Sequence, residues 1–560
     1  MIKLLLKYAI LLPCFLTLAT NPVSSQISHD TLNPMNMIVT GAYKPVITEG
    51  NKINNNPVVV DSTKKLNVKG YNINSKKVST GYETEPIEAA QMVGEPLTKL
   101  YNGLAKIGFG NYKTPYGEVW YNSLRSKDAS YGFRLKHLSS TPKMNDDYGF
   151  AGYSDNEASL YGKKFLKEHT LSGNFDYARN VVHFYGYDPK LYDITDKDFT
   201  VQRFNYFAGN ADLTSHYTRS ERYNHDIKLS YYNLSDLYKS SENNVKANGF
   251  VQTTINKELF RVNASVDYYN YKTSADTVNN TIISINPNFI ANGEKYHASI
   301  GVTAAADIFV QSKFYFYPNV DLSYNIFEDI IIPYVGATGG IQKNSFKSLT
   351  DANPFVLSQL TMTNSNNKYE LFGGLKGTLS SSVAYNARVS YSDISNMAMY
   401  ESVAQNIIQN RFDVIYDDAQ VLNVKGEVSY QEREKLRIIL SGEYFNYKMK
   451  TEERAWYKPQ LEVKLSANYN LSDKIVAKVD LCYLGNQYAK IFIDGDANGD
   501  KIETEELKGV FDANVGLEYR YTKKLGFFLN FNNIANFRYY RYSNYPTQRF
   551  TFMGGLSYSF

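Results

Sequence analysis

One stretch gathers oxygen ligands at a spacing that suits a hard cation. It reads Asp494-Gly495-Asp496-Ala497-Asn498-Gly499-Asp500-Lys501-Ile502-Glu503-Thr504-Glu505-Glu506. A calcium loop of the EF-hand kind takes side-chain oxygens at positions 1, 3, 5 and 12, a Gly at 6 and usually an apolar residue at 8. Counted from Asp494, the Asp496, Asn498 and Asp500 positions fit, Gly499 falls at the turn and Glu505 is twelfth. Ile502 arrives one place late. The expectation is a calcium ion held by Asp494, Asp496, Asn498, Asp500 and Glu505, which relieves carboxylates that otherwise repel one another; the alternative is an acidic, solvated loop. No other cofactor is expected.

Little else in the chain has the spacing of a reactive site. The seven histidines, His29, His137, His169, His183, His216, His225 and His297, form no metal pair by spacing, and neither HExxH nor GxSxG occurs. A hydrolase needs a nucleophile beside a base, and nothing here marks one, so the chain reads as a non-enzyme. Cys14 falls in the N-terminal leader, which leaves Cys482 alone and excludes an intramolecular disulfide in the mature chain. Tyr539, Tyr540, Tyr542 and Tyr545, with Arg538 and Arg541, make an aromatic and basic stretch that can stack on a sugar or pack on neighbouring loops. Packing is the expectation.

The elements that would carry these residues are strands. From Arg549 to Phe560 the chain alternates: Phe550, Phe552, Gly554, Leu556, Tyr558 and Phe560 share one face, while Arg549, Thr551, Met553, Gly555, Ser557 and Ser559 share the other. The theme recurs back to about Leu97 in segments of about ten to fourteen residues. Leu461, Val463, Leu465, Ala467 and Tyr469 alternate with Glu462, Lys464, Ser466 and Asn468. Leu422 to Tyr430 and Leu436 to Tyr444 form a hairpin about Glu432-Arg433-Glu434-Lys435. The polar face bears charges of both signs, which an apolar core would not accept unpaired. It must meet water or a polar filling, while lipid covers the other face.

Composition agrees. The chain has 560 residues, 49 Tyr and 31 Phe but only 2 Trp, and a mean hydropathy of -0.41. Tyr, with an apolar ring and a wet hydroxyl, suits the interfacial girdles of a membrane barrel. A formal charge of +4 argues against a nucleic-acid partner. Lys3 and Lys7, the apolar run Tyr8 to Ala19 and Val23-Ser24-Ser25 read as a signal peptide over 1–26. Residues 27–95 lack sustained alternation and read as a periplasmic or lumenal segment, with a helix start at Thr84-Glu85-Pro86. Residues 96–560 are assigned to the barrel.

Counting segments gives an all-β fold, a transmembrane antiparallel barrel of about 22 strands, or 20 if one hairpin slips. Short and long connections should alternate, with the short turns periplasmic. Ser126-Lys127-Asp128, Asn256-Lys257-Glu258, Asn292-Gly293-Glu294, Ser380-Ser381-Ser382, Glu432-Arg433-Glu434, Leu471-Ser472-Asp473 and Thr522-Lys523-Lys524 take the short places. The stretches 186–200, 344–367, 396–411, 488–508 and 535–548 take long ones. Near Gln311-Ser312-Lys313 the connection is short where a long one is allowed.

Tyr519-Arg520-Tyr521-Thr522-Lys523-Lys524-Leu525-Gly526, Asn532-Asn533-Ile534-Ala535-Asn536 and Asn544-Tyr545-Pro546 resemble the final strands of TonB-dependent receptors of the Bacteroidetes type, and Lys106-Ile107-Gly108-Phe109-Gly110-Asn111-Tyr112 resembles their first barrel hairpin. The resemblance covers the barrel and implies the outer membrane of a Gram-negative cell. Such receptors carry a plug domain larger than the stretch 27–95, so a plugless barrel is expected here. A plugless barrel of this size is an aqueous hole and must be filled. The expected role is therefore a barrel subunit of an outer-membrane protein complex, an assembly or transport machinery for example. Its lumen would be closed by outer-membrane or periplasmic partners or by its own segments. The alternative is a porin-like or receptor-like nutrient uptake channel.

Overall fold

The computed structural model describes residues 100–560, apart from 143, 145–147, 193, 195, 196, 218–221, 310, 404–409, 494–500 and the side chains of 197, 198 and 493. The expected signal peptide and the segment 27–95 lie outside the described residues. The barrel belongs to one compact unit that runs from Tyr101 to the end of the chain.

Nineteen strands follow one another from the start of the barrel. They are β1 (Gly103–Gly110), β2 (Thr114–Asn122), β3 (Ala129–Ser140), β4 (Tyr153–Phe165), β5 (His169–His183), β6 (Val201–Ser215), β7 (Asn224–Asp236), β8 (Ser241–Ile255), β9 (Glu258–Lys272), β10 (Thr277–Asn292), β11 (Tyr296–Ile308), β12 (Ser312–Tyr324), β13 (Ile332–Gln342), β14 (Ser365–Ser380), β15 (Val383–Ser402), β16 (Phe412–Glu432), β17 (Leu436–Met449), β18 (Leu461–Leu471) and β19 (Ile475–Leu484). A hairpin of β20 (Gln487–Ile493) and β21 (Lys501–Leu507) leaves the wall, and the chain returns as β22 (Val510–Arg520) and β23 (Leu525–Asn532). After the short pair β24 (Tyr540–Tyr542) and β25 (Tyr545–Pro546), β26 (Thr551–Ser559) completes the wall.

Twenty-two of these strands form one antiparallel sheet that closes on itself, and the count of 22 expected from the sequence holds. Closure joins β26 to β1, from Gly110↔Met553 to Leu104↔Ser559. Beyond the last pair, the Phe560 and Gly103 backbones exchange hydrogen bonds of 2.9 and 3.0 Å. The Phe560 ring lies over Gly103, where any Cβ would collide with it. An open edge in lipid would leave a row of backbone groups without partners, and this seam removes it.

The alternation sorts the side chains as expected. Leu135, Leu160, Phe175, Phe207, Leu229, Ile285, Leu440, Leu517 and Leu556 point outward and are exposed. Inward-facing charges pair across strands. Arg134 reaches Glu118 at 2.9 Å and Glu157 at 2.7 Å, and Lys136 joins Glu157 at 2.8 Å. Within single strands, Lys464 pairs with Glu462 two residues away in β18 (2.6 Å) and Lys478 with Asp480 in β19 (3.0 Å). A packed apolar interior would make these ions costly; a wetted lumen does not.

All seven short turns named above fall at one end. Asn256 (φ 61°) and Ser472-Asp473 (φ 52° and 56°) take the left-handed backbone that tight hairpins require. The long connections gather at the other end. Two differ from the sequence expectation. β15 and β16 run 20 and 21 residues, so 396–402 is strand, and the connection there is shorter than 396–411. The stretch 488–508 holds the β20–β21 hairpin. Both strands exceed the 9–11 residues that cross a bilayer, and the excess projects beyond the wall as a platform for the loops.

Candidate functional site

The long connections fold together into a cap across their end of the barrel. Its first piece is α1 (Phe346–Ala352), between β13 and β14. Ser345 starts the helix because its hydroxyl accepts from the Ser348 N–H while the Ser348 hydroxyl accepts from the Ser345 N–H. The Phe346 N–H donates to Glu242 Oε2 at 2.5 Å, and the Tyr232 hydroxyl donates to the same carboxylate. Glu242 stands on the inner face of β8, so the wall itself anchors the helix. Phe346 and Leu349 are buried on its inward side.

Around α1 the cap has a protein core of its own. Val356, Leu360, Met362, Phe412, Trp456, Tyr457, Tyr542 and Tyr545 are all buried in it. Each such side chain contributes roughly 1.5–3 kcal/mol on burial. Hydroxyls at the edges of the cluster tie the connections to one another and to the wall strands β9 and β15. Tyr400 donates to Leu349 O (3.0 Å), Tyr542 to Ala352 O (2.5 Å), Tyr271 to Ser358 O (2.5 Å) and Tyr545 to Asn410 O. Lys490 of β20 sits between Glu401 (2.9 Å) and Glu452 (3.1 Å), and Glu452 also accepts from Trp456 Nε1 at 2.7 Å. Burial works to lower the Lys490 pKa, but the two carboxylates overcome it and hold the ammonium above its ordinary value.

Burial likewise pushes the hydroxyls of Tyr185, Tyr457 and Tyr545 well up, with the Glu505 charge adding to the effect at Tyr457. These phenols stay neutral at any physiological pH. The aromatic stretch singled out in the sequence is thus turned inward: Tyr542 and Tyr545 lie in the core, Tyr540 meets Tyr148 (2.7 Å between hydroxyls) and Tyr539 donates to Asp512 (3.2 Å).

Asp494, Asp496, Asn498 and Asp500 lie outside the described residues. Glu505 is described. It stands in β21 opposite Ala489, with Oε2 buried and making no hydrogen bond among the described residues. At about 3.3 Å per residue, the extended strand carries Glu505 away from Lys501 at the strand's start, whereas an EF-hand loop would bring its twelfth residue back. Among the described residues, no group of three or more His, Cys, Asp or Glu side chains is placed to hold a metal. His169 and His225 come within 5.4 Å, ring to ring, on neighbouring parts of the wall. Their sequence separation gave no hint of this, because only the β5–β6–β7 pairing brings them together.

Below the cap, part of the lumen forms a polar cavity of about 880 Å³ against β7 to β13. Asp267 is its electrostatic centre, with Lys343 at 2.8 Å and Lys246 at 3.7 Å. The Lys343 ammonium also lies over the rings of Tyr232 and Tyr269, 5.7 and 5.6 Å from their centroids. The chemistry on offer is recognition by hydrogen bonds and paired charges.

Neither a protein-family model nor any curated protein matches the sequence. Solved structures do match the fold. The FrpB iron transporter from Neisseria meningitidis superposes with a TM-score of 0.64 at 11% identity, covering 83% of this chain and 82% of that one. The siderophore receptor PirA from Acinetobacter baumannii gives 0.63 at 9% identity, covering 83% and 81%. The pyoverdine outer-membrane receptor FpvA from Pseudomonas aeruginosa gives 0.62 at 10% identity, covering 83% and 79%. At such identities the likeness is one of fold, and it joins a closed wall that exposes a band of large apolar side chains on its outer face. The chain is a 22-stranded β-barrel of the Gram-negative outer membrane, receptor-like in architecture.

Proposed function

We propose that this chain serves as a barrel subunit of an outer-membrane complex, with its outer mouth closed by its own loops. The buried aromatic core of the cap carries this reading. A surface receptor presents its loops to cargo; here Phe412, Trp456, Tyr542 and Tyr545 turn into one another instead. Opening the mouth would expose that core and cost many kcal/mol at about 25 cal/mol per Å² of apolar surface. The lumen is then a scaffold or a compartment reached from elsewhere. Isolation from native membranes in mild detergent tests it: a stable larger assembly on native gels is expected, and a monodisperse lone barrel from intact membranes contradicts it.

A second reading is receptor-like uptake, and the fold shared with iron and siderophore receptors favours it. It requires the cap to move and the short segment ahead of β1 to act in place of a plug. Growth of a deletion strain on limiting iron sources separates the readings, since only uptake predicts a source-specific defect.

A further inference from the structure

The wall has one weak seam, and it is not where the chain ends meet. Strands β12 and β13 share only four residue pairs, from Ser323↔Tyr334 to Val320↔Ala337. On their other sides the same strands form thirteen pairs with β11 and ten with β14. The closing seam of β1 and β26 has seven. The pairing stops for a reason written in both strands. Pro318, next up from the last pairs, has no N–H to give. Opposite it, the pairing of β13 with β14 shifts register between Thr338 and Gly340, with the extra residue on β14.

Above that point a side chain replaces the ladder. Tyr317, buried on the lumenal side, crosses β13 at Gly339, where an added Cβ would come within 2.8 Å of its ring. Its hydroxyl donates to Asn366 Oδ1 of β14 at 2.7 Å. One hydrogen bond and one ring contact thus stand where several ladder pairs would be. On the outside, the flanking Phe314 and Phe316 are 74% and 72% exposed. On the inside, Tyr317, Gly339 and Gly340 all line the 880 Å³ cavity.

We propose that the β12–β13 seam is a lateral portal, latched by Tyr317, through which the zwitterionic head of a membrane lipid enters the lumenal cavity while its chains stay outside on Phe314 and Phe316. Backbone breaks at membrane depth persist only where they border protein or a wetted cavity, and this one borders both. The cavity sets Asp226, Asp267 and Asp321 against Lys246, Arg261 and Lys343. A head carrying one charge of each sign suits that balance better than an anion or a cation.

The test uses the full chain in phosphatidylethanolamine vesicles doped with phosphatidylethanolamine bearing a diazirine on its head. After illumination, adducts are mapped by mass spectrometry. Labelling is expected on cavity-lining Asn319 and Thr303, and it should rise several-fold, up to about tenfold, in Tyr317→Phe, which deletes the hydroxyl and keeps the ring. Tyr317→Ala should raise it further; should that variant fail to fold, Tyr317→Phe alone carries the test. Adducts confined to Phe314, Phe316 and other outward residues in every variant overturn the proposal. Cavity labelling equal in native protein and Tyr317→Phe overturns it too, because the latch would then hold nothing.

Discussion

Tyr545 stacks on Phe355, with 3.8 Å between ring centroids and 22° between planes. The two residues belong to different connections, β23–β26 and β13–β14, so this pair fastens two loops that meet only in the folded cap. Tyr545 also packs edge-on against Tyr185 at 4.8 Å, which ties in the β5–β6 connection. Tyr545→Ala should therefore loosen all three at once. The expected cost is about 3–5 kcal/mol to the cap, the range for truncating a buried aromatic, with the wall unaffected. Hydrogen exchange should show loss of protection in 343–364 and 184–192, with none in β4 to β11.

Lys490 joins the β20–β21 hairpin to two carboxylates that are themselves only partly exposed. Lys490→Met keeps the stem but leaves Glu401 and Glu452 facing each other without a cation. A destabilisation of about 1–3 kcal/mol follows, below the full penalty of a buried pair because solvent screens part of it. Limited proteolysis should then cut the 485–509 connection faster than in the native protein. Unchanged cleavage would show that the triad holds nothing together.

Alkali should undo the cap before it harms the wall. Lys490 and the hydroxyls of Tyr185, Tyr457 and Tyr545 all have folded pKa values above their ordinary ones. A raised pKa means that the folded state holds its proton more tightly. The stability it gives is complete below the unfolded value, about 10 for either group, and is lost as pH rises beyond it. Lys458 works the other way, since burial pushes its ammonium down, but it is one group against four. Intrinsic fluorescence of the cap residue Trp456 should change above about pH 10 while the far-ultraviolet strand signal persists. A transition of the same midpoint in both signals would contradict this.

The acidic stretch from Asp494 to Glu505 gives a sequence-based expectation with its own check. Calorimetric titration of the purified protein with calcium should give binding heat, and Asp496→Ala should abolish it. The extended backbone at Glu505 adds a sharper point: Glu505→Gln should leave the heat unchanged if the ion is held by 494–500 alone. No heat in the native protein ends the idea.

The wall was legible in the sequence because a period of two is a local signal. Residues such as Leu461 to Tyr469 state both their strand and their faces. Turn chemistry at Asn256 and Ser472-Asp473 fixed the ends. The cap was not legible as a core. Its residues come from five connections far apart in the chain, and no periodicity links Phe346 to Phe412 or Tyr545. A clue was present in the density of Phe355, Val356, Leu357, Leu360 and Met362 within a supposed loop, too apolar to be left in water. The β12–β13 break was equally hidden. Pro318 and the Gly339-Gly340 pair are each tolerated in barrels, and only their register makes them opposite.

The account stands or falls on the outer mouth being shut by the chain itself. Conductance of the full-length protein in planar bilayers measures this directly, beside a variant in which 344–363 is replaced by a short Gly-Ser linker. The intact barrel should be silent and the variant should show large steps, as expected of a 22-stranded lumen whose outer mouth has been opened. Large, steady steps from the intact protein would contradict the closed cap.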